Sequence, residues 1–193
     1  MKISVAITGG IGSGKSTVAN LIREQGFKVF SCDEICGELY KKQSVLRKLK
    51  TLFPSAISGK IFLSVDKKAL SKTAFNDDEN HKKLSTFLQP LIVDNLLKKI
   101  KRTKDVCFSE VPLLFEGNYA SLFDKVVVVI RDKKERINAV YTRSNLSSDD
   151  FDKIASRQVD YDKLDLSSYL VIENNGNILA LKEKVNNLLK NII

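Results

Sequence analysis

The sequence contains a glycine-rich stretch near its amino terminus, "TGGIGSGKST", at residues 8–17. Gly9, Gly14, Lys15 and Ser16 complete the pattern G-x-x-x-x-G-K-[ST], in which glycines let successive backbone N–H groups turn towards phosphate oxygens. A lysine at this place reaches the β- and γ-phosphates of a nucleotide, and the serine hydroxyl can coordinate Mg²⁺. Residues 8–17, the phosphate loop, therefore predict a site for a nucleoside triphosphate.

Asp33 is the carboxylate best placed to act on an acceptor hydroxyl. It follows residues 27–31, "FKVFS", which predict a short strand. In a parallel sheet this residue would emerge at the carboxyl edge, beside the phosphate loop. There it could orient a hydroxyl or accept its proton. A helix N-cap explains an aspartate at this place equally well.

Two arginines, Arg143 and Arg157, flank the polar, glycine-free segment 144–156. Such a segment is typical of a mobile lid, whose closure brings arginines onto a triphosphate and excludes water. Surface salt bridges are the alternative role for both residues.

The segment 109–117, "SEVPLLFEG", ends a predicted strand and turns apolar at Pro112. Together with Leu113 and Leu114, this proline could line a pocket for an uncharged part of a substrate. Structural packing explains the two leucines equally well. Glu110 stands where a second acidic residue often contacts Mg²⁺ through water.

The elements that must position these residues indicate a parallel α/β sheet. Apolar residues 3–7 lead into the phosphate loop, helical spacing follows over 15–25, and Gly26 precedes the second strand. Strand, loop, helix and strand in this order open a parallel α/β fold. The further predicted elements are strands at 105–111 and 124–130, a last strand in "SSYLVIENNG", and a closing helix from about Ile178.

Residues 43–103 differ from the flanking sequence because they contain amphipathic helices and no strand typical of a core sheet. The clearest helix is "HKKLSTFLQPLIVDNLLKKIKR", whose apolar residues recur every three or four positions. Pro90 is expected to kink or restart it. Residues 58–62 predict a turn, and the whole region is expected to be a helical insertion beside the sheet.

Composition narrows the class of protein. The chain has 193 residues and a net charge of +9, which favours a partner with several negative charges. No apolar run approaches the roughly 20 residues of a membrane helix, and the amino terminus lacks a signal peptide, so a cytoplasmic protein is expected. Cys32, Cys36 and Cys107 lack metal-site spacing and are expected to be reduced thiols.

Other nucleotide-binding classes lack their signatures here. The guanine motif N-K-x-D and the γ-phosphate motif D-x-x-G do not occur, and a helicase or larger ATPase needs more chain. No segment interleaves aromatic and basic residues as a single-strand nucleic-acid groove does. A kinase for a small molecule needs only an acceptor pocket, a carboxylate and arginines.

Taken together, these segments resemble the dephospho-CoA kinase family over nearly the whole chain. The resemblance rests on Thr8 before the glycine pair, on "KKALSKTAF", "LQPLI" and "EVPLLFEG", and on "TRSNLSSDDFDKIASRQ" and "YLVIENNG". This combination is specific, whereas the phosphate loop alone is not. It implies transfer of the ATP γ-phosphoryl group to the 3′-hydroxyl of dephospho-CoA, giving CoA and ADP.

The implied architecture is a three-layer P-loop kinase fold with a five-stranded parallel sheet, a helical CoA-side insertion and a lid. On this chain the resemblance places the core at about 1–42, 104–142 and 165–193, the insertion at 43–103 and the lid at 143–164.

The resemblance also implies roles for single residues. Asp33 orients or deprotonates the acceptor hydroxyl, Lys15 offsets charge in the transition state, and Ser16 binds Mg²⁺. Asn175 lies near the expected adenine. The residues expected to bind ATP are Gly10, Ile11, Gly12, Ser13, Gly14, Lys15, Ser16, Thr17, Arg143, Arg157 and Asn175. Those expected to bind the acceptor are Thr8, Asp33, Pro112, Leu113 and Leu114.

The chain departs from the family pattern at a few places. Ser31 replaces a frequent acidic residue, Gln89 replaces the usual histidine before Pro90, and Glu110 replaces a frequent aspartate. A common arginine is represented by a lysine at 67 or 68, which cannot contact a phosphate bidentately. None of these changes removes a core catalytic element.

Two alternatives remain beside this interpretation. One is a kinase for another small hydroxyl substrate, such as a nucleoside monophosphate or a sugar acid. The other is a nucleotide-dependent switch that binds nucleic acid through a basic face. The expected partners are ATP, Mg²⁺ and dephospho-CoA, without nucleic acid or membrane, in a monomer or weak homo-oligomer.

Overall fold

The structure is a computed structural model that describes residues 2–144 and 147–192, with the side chains of all of these except 75 and 76. The strands are β1 (Ser4–Thr8), β2 (Lys28–Ser31), β3 (Ile57–Ser58), β4 (Ser64–Val65), β5 (Cys107–Glu110), β6 (Lys125–Ile130) and β7 (Leu170–Glu173). The helices are α1 (Lys15–Glu24), α2 (Cys32–Leu39), α3 (Gln43–Leu52), α4 (Lys67–Asn76), α5 (Asp78–Lys101), α6 (Lys133–Ser144), α7 (Ser148–Ala155) and α8 (Ile178–Ile192). Two 3-10 turns lie at Pro54–Ala56 and Ala120–Leu122.

The backbone divides into two units. The sheet unit runs up to Ser31 and resumes at Arg102, and the helical unit comprises Cys32–Lys101. The sequence placed the first boundary near residue 42, whereas α2 groups with the helical unit. The physical reason is that α2 contacts α5.

The sheet unit contains a five-stranded sheet in the order β2-β5-β1-β6-β7, and every described pair of neighbours is parallel. This confirms the predicted five-stranded parallel sheet. In the register, Glu110 of β5 lies opposite both Ile7 of β1 and Ser31 of β2. The carboxyl ends of these three strands therefore meet at one edge of the sheet, where ligands bind in folds of this kind.

The core of the sheet unit lies between the sheet and the helices α1 and α8. Central strand positions are apolar on both faces, and four consecutive valines of β6 are buried, as expected for a parallel strand covered on both sides. Phe27 and Phe108 make an edge-to-face contact with ring centroids 5.6 Å apart. The main buried members are Val5, Ile7, Val18, Ile22, Phe108, Val127, Val129, Leu181 and Val185.

Asp124 ties the start of β6 to the start of β1. The backbone N–H and the hydroxyl of Ser4 each donate to Asp124 Oδ2 at 2.7 Å. These hydrogen bonds, the backbone one first, hold the pKa of Asp124 below its usual value of 3.8. Because the folded pKa is depressed, the carboxylate stabilises the fold above its unfolded pKa. That stabilisation is lost as the pH falls through the folded pKa.

We expect Asp124→Ala to lower the free energy of unfolding by about 1 kcal/mol at pH 7, since the carboxylate is exposed and its hydrogen bonds are partly screened. Urea unfolding at pH 7 and at successively lower pH measures this difference. The gap between variant and wild type should shrink below about pH 4. The exposed Asp105 provides the control Asp105→Ala, and a gap independent of pH would contradict the assignment.

The helical unit contains α2 to α5 and the antiparallel pair β3–β4, with α2 and α4 each in contact with α5. Residues 58–62, predicted as a turn, connect β3 to β4, and Gly59 has the positive φ of 94° that favours glycine. The helix α5 continues through Pro90, where the sequence suggested a kink or restart. Contacts with α2 and α4 offset the one backbone hydrogen bond that proline cannot make.

No helix in the described ranges, 2–144 and 147–192, is both long and apolar enough to cross a membrane.

Candidate active site

The phosphate loop connects β1 to α1, and two of its glycines, Gly12 and Gly14, have positive φ angles and no space for a side chain. Gly12 has φ 76°, and Gly14 has φ 97° at the N-cap of α1. A Cβ at Gly12 would lie 2.5 Å from the backbone oxygen of Arg136, and one at Gly14 would collide with the Asn174 side chain. The loop therefore exposes backbone N–H groups beside a helix N-terminus, which is a favourable place for phosphate.

Lys15 lies over this loop. Its Nζ donates to the backbone oxygen of Gly9 at 2.7 Å and to that of Gly10 at 2.9 Å. The ammonium group is therefore held against the loop backbone, where it can interact with a bound phosphate as a point charge.

Ser16, at the start of α1, and Glu110, at the end of β5, place two side-chain oxygens next to each other. Ser16 Oγ donates to Glu110 Oε1 at 2.6 Å, and Glu110 is buried at the end of β5. Mg²⁺ prefers such hard oxygens and is usually bound by one or two protein groups together with phosphates and water. The oxygens of Ser16 and Glu110 are of the kind that Mg²⁺ prefers. Elsewhere, the described residues contain no cluster of three or more His, Cys, Asp or Glu side chains suited to a metal.

Asn174 supports the loop from the end of β7. Its Nδ2 donates to the backbone oxygen of Ser13 at 2.8 Å, and its own N–H donates to the backbone oxygen of Ile130. The neighbouring Asn175 is exposed, and its side-chain amide exchanges two hydrogen bonds with Asp132. Asn174 is thus the asparagine that contacts the phosphate loop.

Residues 158–162, here called the strap, cross the other side of the loop. Gln158 Oε1 accepts a hydrogen bond of 2.7 Å from the backbone N–H of Ile11. The hydroxyls of Tyr161 and Thr8 are 3.2 Å apart, and both residues are buried. At the end of the strap, Asp162 pairs with Arg136, with Nη2 and Oδ2 3.2 Å apart.

Glu116 fixes the strap to the loop that follows β5. Its Oε1 accepts from the backbone N–H of Val159 at 2.9 Å, while its buried Oε2 has no hydrogen-bond partner among the described residues. The ring of Phe115 packs against that of Tyr161, with centroids 6.0 Å apart. Burial, and then the negative charge of Glu116, raise the pKa of Tyr161 to about 12. The phenol is therefore neutral at physiological pH.

The other predicted site residues lie as follows. Pro112 and Leu113 are half-buried in the turn after β5, whereas Leu114 is fully buried. Asp33 is exposed in the first turn of α2 and belongs to the helical unit. Because α2 begins at Cys32, Asp33 lies inside the helix and not at the N-cap position before it.

The predicted lid contains α7, which begins with a capping box between Ser147 and Asp150. Arg143 is exposed in the last turn of α6, and Arg157 is half-buried just before the strap. Residues 145 and 146 of the predicted lid lie outside the described residues. The lid function of this segment stays a prediction.

Four residues that contact or brace the phosphate loop were not predicted as site residues. They are Arg136, Gln158, Tyr161 and Asn174. The pair Asn174-Asn175 was recognised at the end of the last strand, but only the structure shows which of the two faces the loop. Gln158 ends the segment "TRSNLSSDDFDKIASRQ" that resembles the family, whereas Arg136 and Tyr161 carry no local pattern that distinguishes them from surface residues.

Solved structures with the same architecture are known. A crystal structure from Thermus thermophilus aligns with a TM-score of 0.81 at 30% identity, covering 99% of this chain and 98% of that one. A dephospho-CoA kinase from Campylobacter jejuni aligns with a TM-score of 0.71 at 23% identity, covering 100% of this chain and 98% of that one, which supports the fold alone. This architecture, with a phosphate loop after the central strand, is the P-loop kinase fold.

Sequence comparison assigns the family. The family model for dephospho-CoA kinase matches residues 3–180. A dephospho-CoA kinase from Fusobacterium nucleatum is 34% identical over 183 residues, which is 94% of each chain. The chain belongs to the dephospho-CoA kinase family, and this confirms the resemblance found in the sequence.

Proposed function

We propose that this protein transfers the γ-phosphoryl group of ATP to the 3′-hydroxyl of dephospho-CoA, giving CoA and ADP. The observation that carries the proposal is the family match over residues 3–180. This range includes the phosphate loop with Lys15 and Ser16, the residues proposed to contact phosphate and Mg²⁺. The hydroxyl attacks the γ-phosphorus, the bond to the β–γ bridging oxygen breaks, and the hydroxyl proton leaves to a base or to solvent.

In this proposal the phosphate loop holds the ATP phosphates, and Lys15 offsets negative charge on the transferring group. Catalysis of phosphoryl transfer is mostly positioning and electrostatic stabilisation. The loop residues proposed to bind ATP are Gly10, Ile11, Gly12, Ser13, Gly14, Lys15, Ser16 and Thr17. Asn175 is proposed to lie on the adenine side.

Ser16 is proposed to hold Mg²⁺, with Glu110 as the neighbouring carboxylate that orients the serine hydroxyl. Mg²⁺ bound there would neutralise charge on the β- and γ-phosphates. The 2.6 Å contact between Ser16 Oγ and Glu110 Oε1 supports this pairing, since residues that orient a metal ligand also affect metal affinity.

We expect Glu110→Gln to raise the Mg²⁺ concentration for half-maximal activity by about tenfold, because outer contacts of a metal ligand typically contribute 10–100-fold in affinity. Titrating Mg²⁺ at saturating ATP and acceptor measures this shift. The exposed carboxylate of Glu135 on α6 provides the control Glu135→Gln. An unchanged Mg²⁺ requirement in Glu110→Gln would remove Glu110 from this role.

On the acceptor side, Asp33 is proposed to orient or deprotonate the 3′-hydroxyl, and Thr8 to face the same substrate. Pro112 and Leu113 are proposed to contact an uncharged part of dephospho-CoA, supported by the buried Leu114. Their half-buried position in the turn after β5 is compatible with such contacts.

Arg143 and Arg157 are proposed to bind the triphosphate when the predicted lid closes. Guanidinium groups suit this role because they contact phosphate oxygens bidentately. Arg143 is exposed in the last turn of α6, and Arg157 directly precedes the strap that contacts the phosphate loop.

A coupled assay of ADP release tests the proposal. Dephospho-CoA is compared with AMP, adenosine, gluconate and shikimate at equal concentration, and the product is identified by mass. We expect release with dephospho-CoA to exceed that with each other acceptor, together with formation of CoA. Preferential turnover of a sugar acid or a nucleotide would contradict this proposal and support the alternative, a kinase for another small hydroxyl substrate.

A further inference from the structure

We propose that Tyr161 is a positioning residue for phosphoryl transfer, acting through the side chain of Thr8. The proposal rests on the proposed function, in which Thr8 faces the acceptor. Tyr161 belongs to the strap and comes 153 positions after Thr8, the first residue of the phosphate loop, in the sequence.

Tyr161 lies against two residues at the start of the loop. Its hydroxyl lies 3.2 Å from Thr8 Oγ1. Its ring lies beside Gly10, where a Cβ would be 3.5 Å from Tyr161 Cδ2. Because Thr8 is fully buried, its side chain depends on this contact for its orientation.

The ring of Tyr161 is anchored on both sides along the chain. Before it, Gln158 accepts from the N–H of Ile11 at 2.7 Å, and Val159 donates to Glu116 at 2.9 Å. After it, Asp162 pairs with Arg136 at 3.2 Å. With both flanks of the strap fixed, the phenol has little freedom to leave the loop, as a supporting residue requires.

The phenol orients the Thr8 hydroxyl without exchanging a proton with substrate. Tyr161 stays neutral and keeps its proton, because burial and the nearby Glu116 both disfavour the phenolate. Either hydroxyl of the Thr8–Tyr161 pair can donate to the other, so the contact constrains the Thr8 side chain whichever proton lies between them.

The test is a double-mutant cycle with Tyr161→Phe and Thr8→Val, both of which remove a hydroxyl and keep most of the shape. We expect Tyr161→Phe to lower kcat with dephospho-CoA about tenfold and to change the Kd for ATP by less than about twofold. The double variant should be no slower than Thr8→Val alone, because the two hydroxyls act as one unit. Tyr169 also packs on Phe115, with ring centroids 5.2 Å apart, so Tyr169→Phe is the matched control.

Three results would overturn the inference. The first is that Tyr161→Phe has the same kcat as Tyr169→Phe. The second is that the decrease in kcat caused by Tyr161→Phe adds fully to that caused by Thr8→Val. The third is that Tyr161→Phe changes ATP affinity and Tm while kcat stays unchanged. Each points to a structural role only. If wild type turns over dephospho-CoA, such a result removes the role of Tyr161 alone. If wild type shows no turnover of dephospho-CoA, both proposals fail together.

Discussion

Replacing Asp33 with asparagine is expected to lower kcat for dephospho-CoA by about 10²–10⁴-fold, the range typical of a positioned general base. The substitution keeps the size and most hydrogen-bonding capacity of the side chain but removes its charge. Asp33 lies two residues after the end of β2, whose last residue pairs in register with Glu110 at the carboxyl edge of the sheet. Single-turnover measurements at saturating substrates would isolate the chemical step.

The structure already narrows the competing explanation of Asp33. Since α2 begins at Cys32, Asp33 lies in its first turn, where a carboxylate interacts favourably with the helix dipole. Loss of that interaction lowers stability by less than about 1 kcal/mol and does not affect chemistry. Glu34, the other acidic residue of the same turn, gives the control Glu34→Gln. Equal kinetics of the two variants, within about tenfold of wild type, would assign Asp33 to the helix alone.

The second large effect is expected at Lys15. We expect Lys15→Met to lower kcat/KM for ATP by at least about 10²–10³-fold, because a preorganised charge that faces the transferring phosphoryl group has no substitute in this loop. The ammonium group lies within 2.7 and 2.9 Å of the backbone oxygens of Gly9 and Gly10. Initial-rate kinetics with varied ATP would measure the loss.

Lys15 also holds the loop backbone, so its control must separate charge from structure. Lys184 is exposed on α8 and likewise donates to a backbone oxygen, that of Glu173, at 2.7 Å. Lys184→Met therefore removes a similar lysine–carbonyl contact away from the phosphate loop. Thermal unfolding of both variants should show similar small shifts, while only Lys15→Met loses activity. A comparable activity loss in both would contradict the assigned role of Lys15.

Contiguous sequence determined the nucleotide half of the site. The phosphate loop could be recognised because its function depends on neighbouring backbone groups, and glycines permit the positive φ values seen at Gly12 and Gly14. The sequence placed Glu110 where an acidic residue often contacts Mg²⁺ through water, and the structure adds its contact of 2.6 Å with the Ser16 hydroxyl. The parallel sheet followed equally from local patterns, because buried parallel strands are apolar on both faces.

The helical insertion shows where local patterns lose precision. The sequence predicted its helices and the turn at 58–62, placed its first boundary near residue 42, and expected Pro90 to kink or restart the long helix. In the structure α2 groups with α5, and α5 is one helix from Asp78 to Lys101, so it does not restart at Pro90. Helix–helix packing, which no local window contains, decides this grouping and compensates for the hydrogen bond that proline cannot make.

Only the tertiary structure revealed the supports of the phosphate loop. Gln158, Tyr161 and Asn174 contact loop residues that are 147, 153 and 161 positions away in the chain. Gln158 and Asn174 lie in segments that resemble the family, but neither segment by itself shows which loop residue its side chain contacts. Their role depends on the strand order β2-β5-β1-β6-β7, which brings the end of β7 and the strap to the loop after β1. The sequence by itself determined which residues can hold phosphate, whereas folding decided which distant residues hold those in place, because hydrogen bonds of this kind depend on spatial proximity and not on local sequence.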